Sequence, residues 1–311
     1  MKIIFIGTSD LAVPALDALK EKGHEIVAVI TQPDKGSGRG KNIRFSPVKE
    51  AALRWNLPIL QPEQIRAEEV QKQIQKLKPD LFVVASYGQK IPQEIMDLAP
   101  YGCINIHPSL LPKYRGAAPI VGPILNGDAK TGTSIMRLAQ QLDAGNILAQ
   151  EEIVLDPKET VPSLEPKLAA LGAKLLLSVI EQMENGTVKE TVQTEEQATY
   201  IRQITKEEGR IDFSDPAEKI ERMVRAYAPW PSAYTSLDNK TFKIWAADVF
   251  DYEKETAEEP GTVVFVDKKS LLVQCGSGVL ALKEVQIEGK KRMTIEEFLR
   301  GKKIETGMHF G

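Results

Sequence analysis

In the first ninety residues, short apolar runs alternate with helical patterns. Lys2–Ile6, Glu25–Thr31 and Leu81–Ser86 read as buried strands. A helix carrying Leu11, Leu16 and Leu19 follows the first strand, and another is predicted over Glu63–Leu77. Strands of this kind satisfy their backbone as a parallel sheet with helices on both faces. The turn after the first strand, Gly7-Thr8-Ser9-Asp10, has one glycine where a dinucleotide fingerprint needs three. It therefore supports the fold and argues against NAD.

The 311 residues allow about two domains. A helix near Pro119–Leu125, strands at Thr133–Leu138 and Ile147–Leu155, and a long helix over Val161–Asn185 complete the first, which is placed at 1–205. Thr187–Ala198 is polar and reads as a linker. The second domain, 206–311, has one helix near Pro216–Ala226. Short strand patterns follow around Tyr234–Ser236, Thr241–Ala246, Gly261–Val266, Leu271–Gln274 and Val279–Val285, which predict a small β-barrel. The fold class is thus α/β, with a mostly parallel, Rossmann-like sheet and a smaller C-terminal β-barrel of the OB kind.

Composition narrows the function classes. A net charge of −3 leaves nucleic-acid contact to local basic patches. Cys103 and Cys275 are too few for a disulfide framework, and His24, His107 and His309 are scattered, so no metal is expected. Asp10 breaks the apolar amino-terminal stretch, which excludes a signal peptide, and no apolar run approaches membrane-spanning length. The expected location is cytoplasmic, and the chain is taken as a monomer.

Asn105 to Pro112, read Asn-Ile-His-Pro-Ser-Leu-Leu-Pro, is the stretch with most chemistry. It ends a short strand that enters a proline-bounded loop. Residues two apart share a strand face, so Asn105 and His107 project together while Ile104 and Ile106 pack behind. Pro108 keeps His107 extended. Two readings fit: a satisfied amide and imidazole at a strand end, or a site at the carboxyl edge of an open α/β sheet. Asp143, before Ala144-Gly145, is by default a turn former; any other role requires proximity to His107.

Gln32–Lys49 is long for a strand–helix connection and carries Lys35, Arg39, Lys41, Arg44 and Lys49 against the single acid Asp34. It lacks the Walker pattern. It is either a solvated loop or a basic arm for a phosphate backbone. Gly289-Lys290-Lys291-Arg292 and Arg300-Gly301-Lys302-Lys303 add charge near the carboxyl end.

Taken together, these stretches resemble the methionyl-tRNA formyltransferase family along essentially the whole chain. The resemblance rests on Phe5-Ile6-Gly7-Thr8, Gln32-Pro33-Asp34, Gly38-Arg39-Gly40-Lys41, Ser46-Pro47-Val48-Lys49, the Asn105–Pro112 signature, Tyr114-Arg115-Gly116 and Leu142-Asp143-Ala144-Gly145. In the second half it rests on Lys206–Asp212, Pro229-Trp230-Pro231, Gly289–Met293 and Phe298–Gly301. The Asn-His signature alone marks the wider group that uses 10-formyltetrahydrofolate; the loop and second-domain motifs single out the tRNA enzymes. Phe213, Ala228, Ser232 and Lys35-Gly36-Ser37 depart from the family pattern without touching Asn105, His107 or Asp143.

The resemblance implies formyl transfer from 10-formyltetrahydrofolate to the α-amino group of methionyl initiator tRNA, for translation initiation. It implies Asn105 as oxyanion donor, His107 as donor or charge stabiliser and Asp143 as the group that orients His107 and assists proton removal. Ser109, Leu110, Leu111 and Pro112 would contact the folate, with Tyr87, Gly88 and Gln89 as a further wall. Lys35, Arg39, Lys41, Lys290, Lys291 and Arg292 would hold tRNA. Three rivals stay open: a hydrolase or dehydrogenase domain using water as acceptor, a sugar-nucleotide formyltransferase, and a non-catalytic RNA-binding module. The basic loop and the Lys/Arg-rich second half argue against the first two. The third leaves the Asn-His strand end unexplained.

Overall fold

Ile3 and Phe5 of the first strand pack into one hydrophobic core and Ile4 and Ile6 into another, all four without solvent exposure. That alternation is what a central strand with both faces covered requires. The computed structural model describes residues 1–37, 42–251 and 258–311, with the backbone alone at 35–37 and 42–43. Contacts divide the chain into two units. Met1–Pro119, Lys130–Val154 and Glu165–Ile201 form the first; Ile120–Ala129, Leu155–Leu164 and Arg202–Gly311 form the second.

The elements in chain order are β1 (Lys2–Gly7), α1 (Val13–Glu21), β2 (Glu25–Ile30), β3 (Lys35–Ser37), β4 (Asn42–Arg44), α2 (Pro47–Arg54), β5 (Ile59–Leu60), α3 (Glu68–Leu77), β6 (Leu81–Ala85), α4 (Gln93–Met96), β7 (Cys103–His107), β8 (Arg115–Gly116), α5 (Val121–Asn126), β9 (Lys130–Arg137), β10 (Ile147–Val154), α6 (Val161–Glu184) and β11 (Tyr200–Ile201). The main sheet runs β10-β9-β7-β6-β1-β2-β5. β7, β6, β1, β2 and β5 pair in parallel, while β9 and β10 join antiparallel beside β7. The sheet is mostly parallel, as the sequence predicts. Leu16 and Leu19 of α1, Ala51 and Ala52 of α2, and Leu176, Val179 and Ile180 of α6 cover one face. Ile74 of α3 and Ile95 and Met96 of α4 belong to the core on the other. Removing a ring such as Phe5 or Phe82 from these cores would cost about 3–5 kcal/mol.

Two local expectations need correction. The helix predicted from Glu63 starts at Glu68. The backbone before it is committed elsewhere: Ile65 N–H donates to Gln89 Oε1 at 2.9 Å, and the Glu63 carbonyl accepts from Gln89 Nε2 at 3.1 Å. The polar stretch Thr187–Ala198 is not a free linker. Thr191 bridges to Ile147, Gln193 is buried, and the strap ends in β11, which pairs with β8. Glu190, Gln193 and Glu195 tie it down by hydrogen bonds to Arg137 and Asn146, to the Asp143 and Gly145 carbonyls, and to Arg115.

In the second unit, α7 (Ala217–Ala226) packs Ile220 and Val224 into a core shared with β12 (Ala233–Leu237), β13 (Lys240–Phe250), β14 (Val263–Val266), β15 (Leu271–Gln274), β16 (Val279–Ile287), β17 (Met293–Thr294) and α8 (Ile295–Gly301). The strands pair antiparallel in the order β12-β13-β16-β15-β14, with β17 on β16. The segment Met308–Gly311 lies between the two ends of this sheet. Val263 N–H donates to the Met308 carbonyl and Phe310 N–H to the Gly261 carbonyl, while Gly311 N–H donates to the Ser236 carbonyl. Phe242 centres the core, with ring centroids 5.3 Å from Phe298 and 5.2 Å from Phe310. α5 joins this unit through Arg222, whose Nε donates to the Leu125 carbonyl at 3.1 Å.

Candidate functional site

β6 and β7 run side by side, with Val84 opposite Asn105. Their carboxyl ends put Ser86–Gln89 and Asn105–His107 on one edge of the sheet. Ile104 and Ile106 belong to the core beneath α6 and Cys103 to the opposite one, so Asn105 and His107 project on the Cys103 side. Asn105 is half-buried, and among the described residues nothing hydrogen-bonds its carboxamide.

His107 is 4% exposed. Its Nε2 lies 3.0 Å from the Tyr114 carbonyl, which can only accept, so Nε2 carries the proton. Nδ1 faces Asp143 Oδ2 at 3.7 Å, longer than a hydrogen bond. Burial holds His107 below its ordinary pKa, opposed by the Asp143 charge and the Tyr114 carbonyl. A neutral imidazole with a lone pair on Nδ1 beside a carboxylate is arranged to accept a proton there and to have the resulting charge stabilised.

Asp143 arrives from the turn after β9. Its φ of 49° is left-handed, and Oδ2 accepts the Gly116 N–H at 2.8 Å. The structure thus supplies what the sequence left open, the proximity of Asp143 to His107. Gly145 completes the turn; a Cβ there would stand 1.8 Å from the Arg137 carbonyl.

The proline loop is held by side chains of β9 and β10. Ser134 Oγ donates to the Ser109 carbonyl at 2.6 Å and accepts from Leu111 N–H at 3.2 Å. Gln150 Nε2 donates to the Leu111 carbonyl at 3.0 Å. Ser109 is fully buried and spends its hydroxyl on the Lys113 carbonyl at 2.7 Å. Leu111 is also buried, whereas Leu110 and Pro112 are half-buried. The Leu111-Pro112 peptide bond is cis.

Tyr87, Gly88 and Gln89 line a cleft of about 730 Å³ with Thr8, Ser9, Gln32, Ser86 and residues 63–66. Asn105, His107, Asp143 and the proline loop do not line it, so the expected folate residues divide between this cleft and the neighbouring strand end. Gln32 and Gln89 brace it: Gln32 Nε2 donates to the Tyr87 carbonyl at 3.1 Å, and Gln89 ties in Ile65. The Tyr87 hydroxyl is buried with no hydrogen-bond partner among the described residues, and burial pushes its pKa up to about 12.

Of the expected tRNA residues, Arg39 and Lys41 lie outside the described residues, and Lys35 is described by its backbone in β3. Beside that hairpin Asp34 pairs with Lys49 and accepts from Gln61 Nε2 at 2.8 Å. In the second unit Lys290 and Lys291 are exposed. Arg292 pairs with Glu284 and lies over the Trp245 ring, 5.1 Å from its centroid; Lys243 lies 5.4 Å from it. Among the described residues no cluster of His, Cys, Asp and Glu could hold a metal ion, and no helix is long and apolar enough to cross a membrane.

What sequence reasoning missed is the support beneath these groups, the Tyr114 carbonyl, the Gly116 amide, Arg115 and Gln193. The one signal available was an arginine inside Tyr-Arg-Gly without a visible partner.

Comparison with known proteins agrees with this geometry. The formyl transferase family model matches residues 1–180, and the model of the formyl transferase C-terminal domain matches 203–303. Among curated relatives, the methionyl-tRNA formyltransferase of Agathobacter rectalis is 46% identical over 310 residues, covering 100% of this chain and 99% of that one. The enzyme of the same name from Clostridioides difficile is 42% identical, with 100% of both chains covered. Among solved structures, the sugar 3N-formyl transferase WlaRD superposes with a TM-score of 0.66 at 23% identity, covering 94% of this chain and 99% of that one. HypX from Aquifex aeolicus in complex with tetrahydrofolic acid gives 0.64 at 19% identity, covering 99% of this chain and 51% of that one. These two are likenesses of fold. The full-length relatives and the two family models show that the chain belongs to the methionyl-tRNA formyltransferase family.

Proposed function

We propose that this protein transfers the formyl group of 10-formyltetrahydrofolate to the α-amino group of methionyl initiator tRNA. The observation that carries the reading is the meeting of three groups at one sheet edge. Among the described residues nothing hydrogen-bonds the Asn105 carboxamide, His107 is buried with Nδ1 turned to Asp143, and Asp143 is fixed by Gly116. The α-amine, whose free form has a pKa of about 7.7–8.0 and a lower one when the carboxyl is esterified, attacks the formyl carbon. The carbonyl oxygen takes the charge and Asn105 donates to it. His107 accepts the ammonium proton on Nδ1, and Asp143 stabilises the imidazolium. Collapse breaks the bond from the formyl carbon to N10, and N10 takes up the proton. No covalent enzyme intermediate is needed.

Ser109–Pro112 and Tyr87–Gln89 shape the folate site. In this reading residues 1–205 are the catalytic domain and 206–311 the tRNA-binding domain. Lys35, Arg39, Lys41, Lys290, Lys291 and Arg292 meet the tRNA. The protein acts as a monomer in the cytoplasm, without metal. The test offers 10-formyltetrahydrofolate with methionyl initiator tRNA, with water alone, or with an amino-sugar nucleotide. Turnover with the tRNA is expected; turnover only with water or the sugar would overturn the assignment.

A further inference from the structure

Arg115 is completely buried, an expensive place for a charge unless it is paired and hydrogen-bonded. Nη1 reaches both Glu195 oxygens and the Tyr200 hydroxyl, each at 2.9 Å. Nε and Nη2 both donate to Gln193 Oε1, at 3.1 and 3.0 Å. Gln193 Nε2 in turn donates to the carbonyls of Asp143 at 2.8 Å and Gly145 at 2.7 Å. The carboxamide therefore makes four hydrogen bonds, two accepted from Arg115 and two donated to the turn that presents Asp143. The residues beside Arg115 act on the same site: the Tyr114 carbonyl accepts from His107, and the Gly116 amide donates to Asp143. Tyr114 has a φ of 61°, a costly conformation for a residue with a Cβ, and Gly116 a φ of 117° that glycine tolerates. This segment is held against the strap by Tyr114 N–H to Thr199 Oγ1 at 2.8 Å and by Arg115 N–H to the Thr199 carbonyl.

We propose that Gln193, locked by the buried Arg115, is a positioning residue that fixes the Asp143 turn at its working distance from His107. The Arg115–Gln193 pair joins the two segments that hold His107 and Asp143, so it sets their separation without touching substrate. Gln193 can do this because its carboxamide works in both directions: Oε1 accepts from Arg115 while Nε2 donates to the two carbonyls of the turn. A glutamate at position 193 would keep Arg115 paired but lose both donors to the turn. Gln193→Glu and Gln193→Ala thus separate the clamp from the burial of Arg115. The catalytic part of this inference rests on the proposed formyl transfer.

The experiment uses the full chain with ¹⁵N-labelled histidine; the three histidines keep the spectra simple. Among the described residues the groups acting on the charge of His107 are Asp143 and the Tyr114 carbonyl, so retreat of Asp143 moves its titration to lower pH. Gln193→Ala is expected to lower kcat by about 100-fold, the scale of a small misplacement, with KM for donor and acceptor within about twofold. His107 should titrate below its position in the unaltered protein. Gln193→Glu should lose a similar factor in kcat, and it serves if Gln193→Ala does not fold. Unaltered kcat in either folded variant, or an unmoved His107 titration in Gln193→Ala, would overturn the proposal. If instead His107→Ala retains full turnover, the catalytic reading fails, while the His107 titration still tests the clamp.

Discussion

Nδ1 of His107 and Oδ2 of Asp143 face each other across 3.7 Å, too far for a hydrogen bond and close enough for the carboxylate to stabilise an imidazolium. In the proposed mechanism the pair serves the moment at which His107 gains a proton. His107→Ala and Asp143→Ala should each cut formylation severely. Their double mutant should lose far less than the product of the two, because residues serving one step are not additive. Measured kcat values that multiply would show that Asp143 is only a turn former.

In the proposed mechanism Asn105, whose carboxamide no described residue hydrogen-bonds, is the oxyanion donor at the strand end. Asn105→Ala should fold and lose about 10²–10³-fold in kcat, the range for one oxyanion donor. Steady-state rates decide it: a loss below about tenfold in a folded variant removes Asn105 from that role.

Burial gives the protein a pH signature. Burial holds the folded-state pKa of His107 below the ordinary histidine value of 6.5. The unfolded chain therefore takes up this proton first as pH falls. The stability that neutral, buried His107 allows is present above 6.5 and is lost as pH drops from there towards the folded value. Urea unfolding at pH 7.5 and 5.5 should show a smaller acid loss in His107→Gln than in the unaltered protein. His24, whose pKa is also lowered chiefly by burial, contributes equally to both proteins. An identical acid loss in the two proteins would mean that folding leaves the pKa of His107 unchanged.

The basic loop makes a salt prediction from sequence. Each phosphate contact adds about 0.7–0.9 to the slope of log affinity against log salt. Replacing Lys35 and Lys41 by alanine should flatten that slope for tRNA by up to about 1.4–1.8, if each meets one phosphate. Filter binding at several salt concentrations reads it directly. A slope and affinity both unmoved would leave the loop a solvated connection.

Much of the first unit is visible in the chain. The unbroken apolar run Ile3–Ile6 announces a strand covered on both faces, and the alternation of Ile104–His107 places Asn105 beside His107. The partnership with Asp143 is not visible, because the turn after β9 reaches His107 through tertiary folding. Polar composition misleads most at Thr187–Ala198. Gln193 and Glu195 read as solvent-seeking, yet together with Tyr200 they pair the buried guanidinium of Arg115. The start of α3 is hidden for a similar reason: Gln89, 26 residues beyond Glu63, takes the carbonyl a helix would have used.

From Lys113 to Ala117 every backbone N–H has an acceptor: the Leu110 carbonyl, Thr199 Oγ1, the Thr199 carbonyl, Asp143 Oδ2 and the Ile201 carbonyl. Only Arg115 and Gly116 in this run are strand residues. Its amides should nonetheless exchange with deuterated solvent as slowly as those of neighbouring strands, since exchange follows the opening of hydrogen bonds rather than the outline of the chain. An arriving substrate then meets a wall that is already set, and recognition on this side depends on shape formed before the encounter.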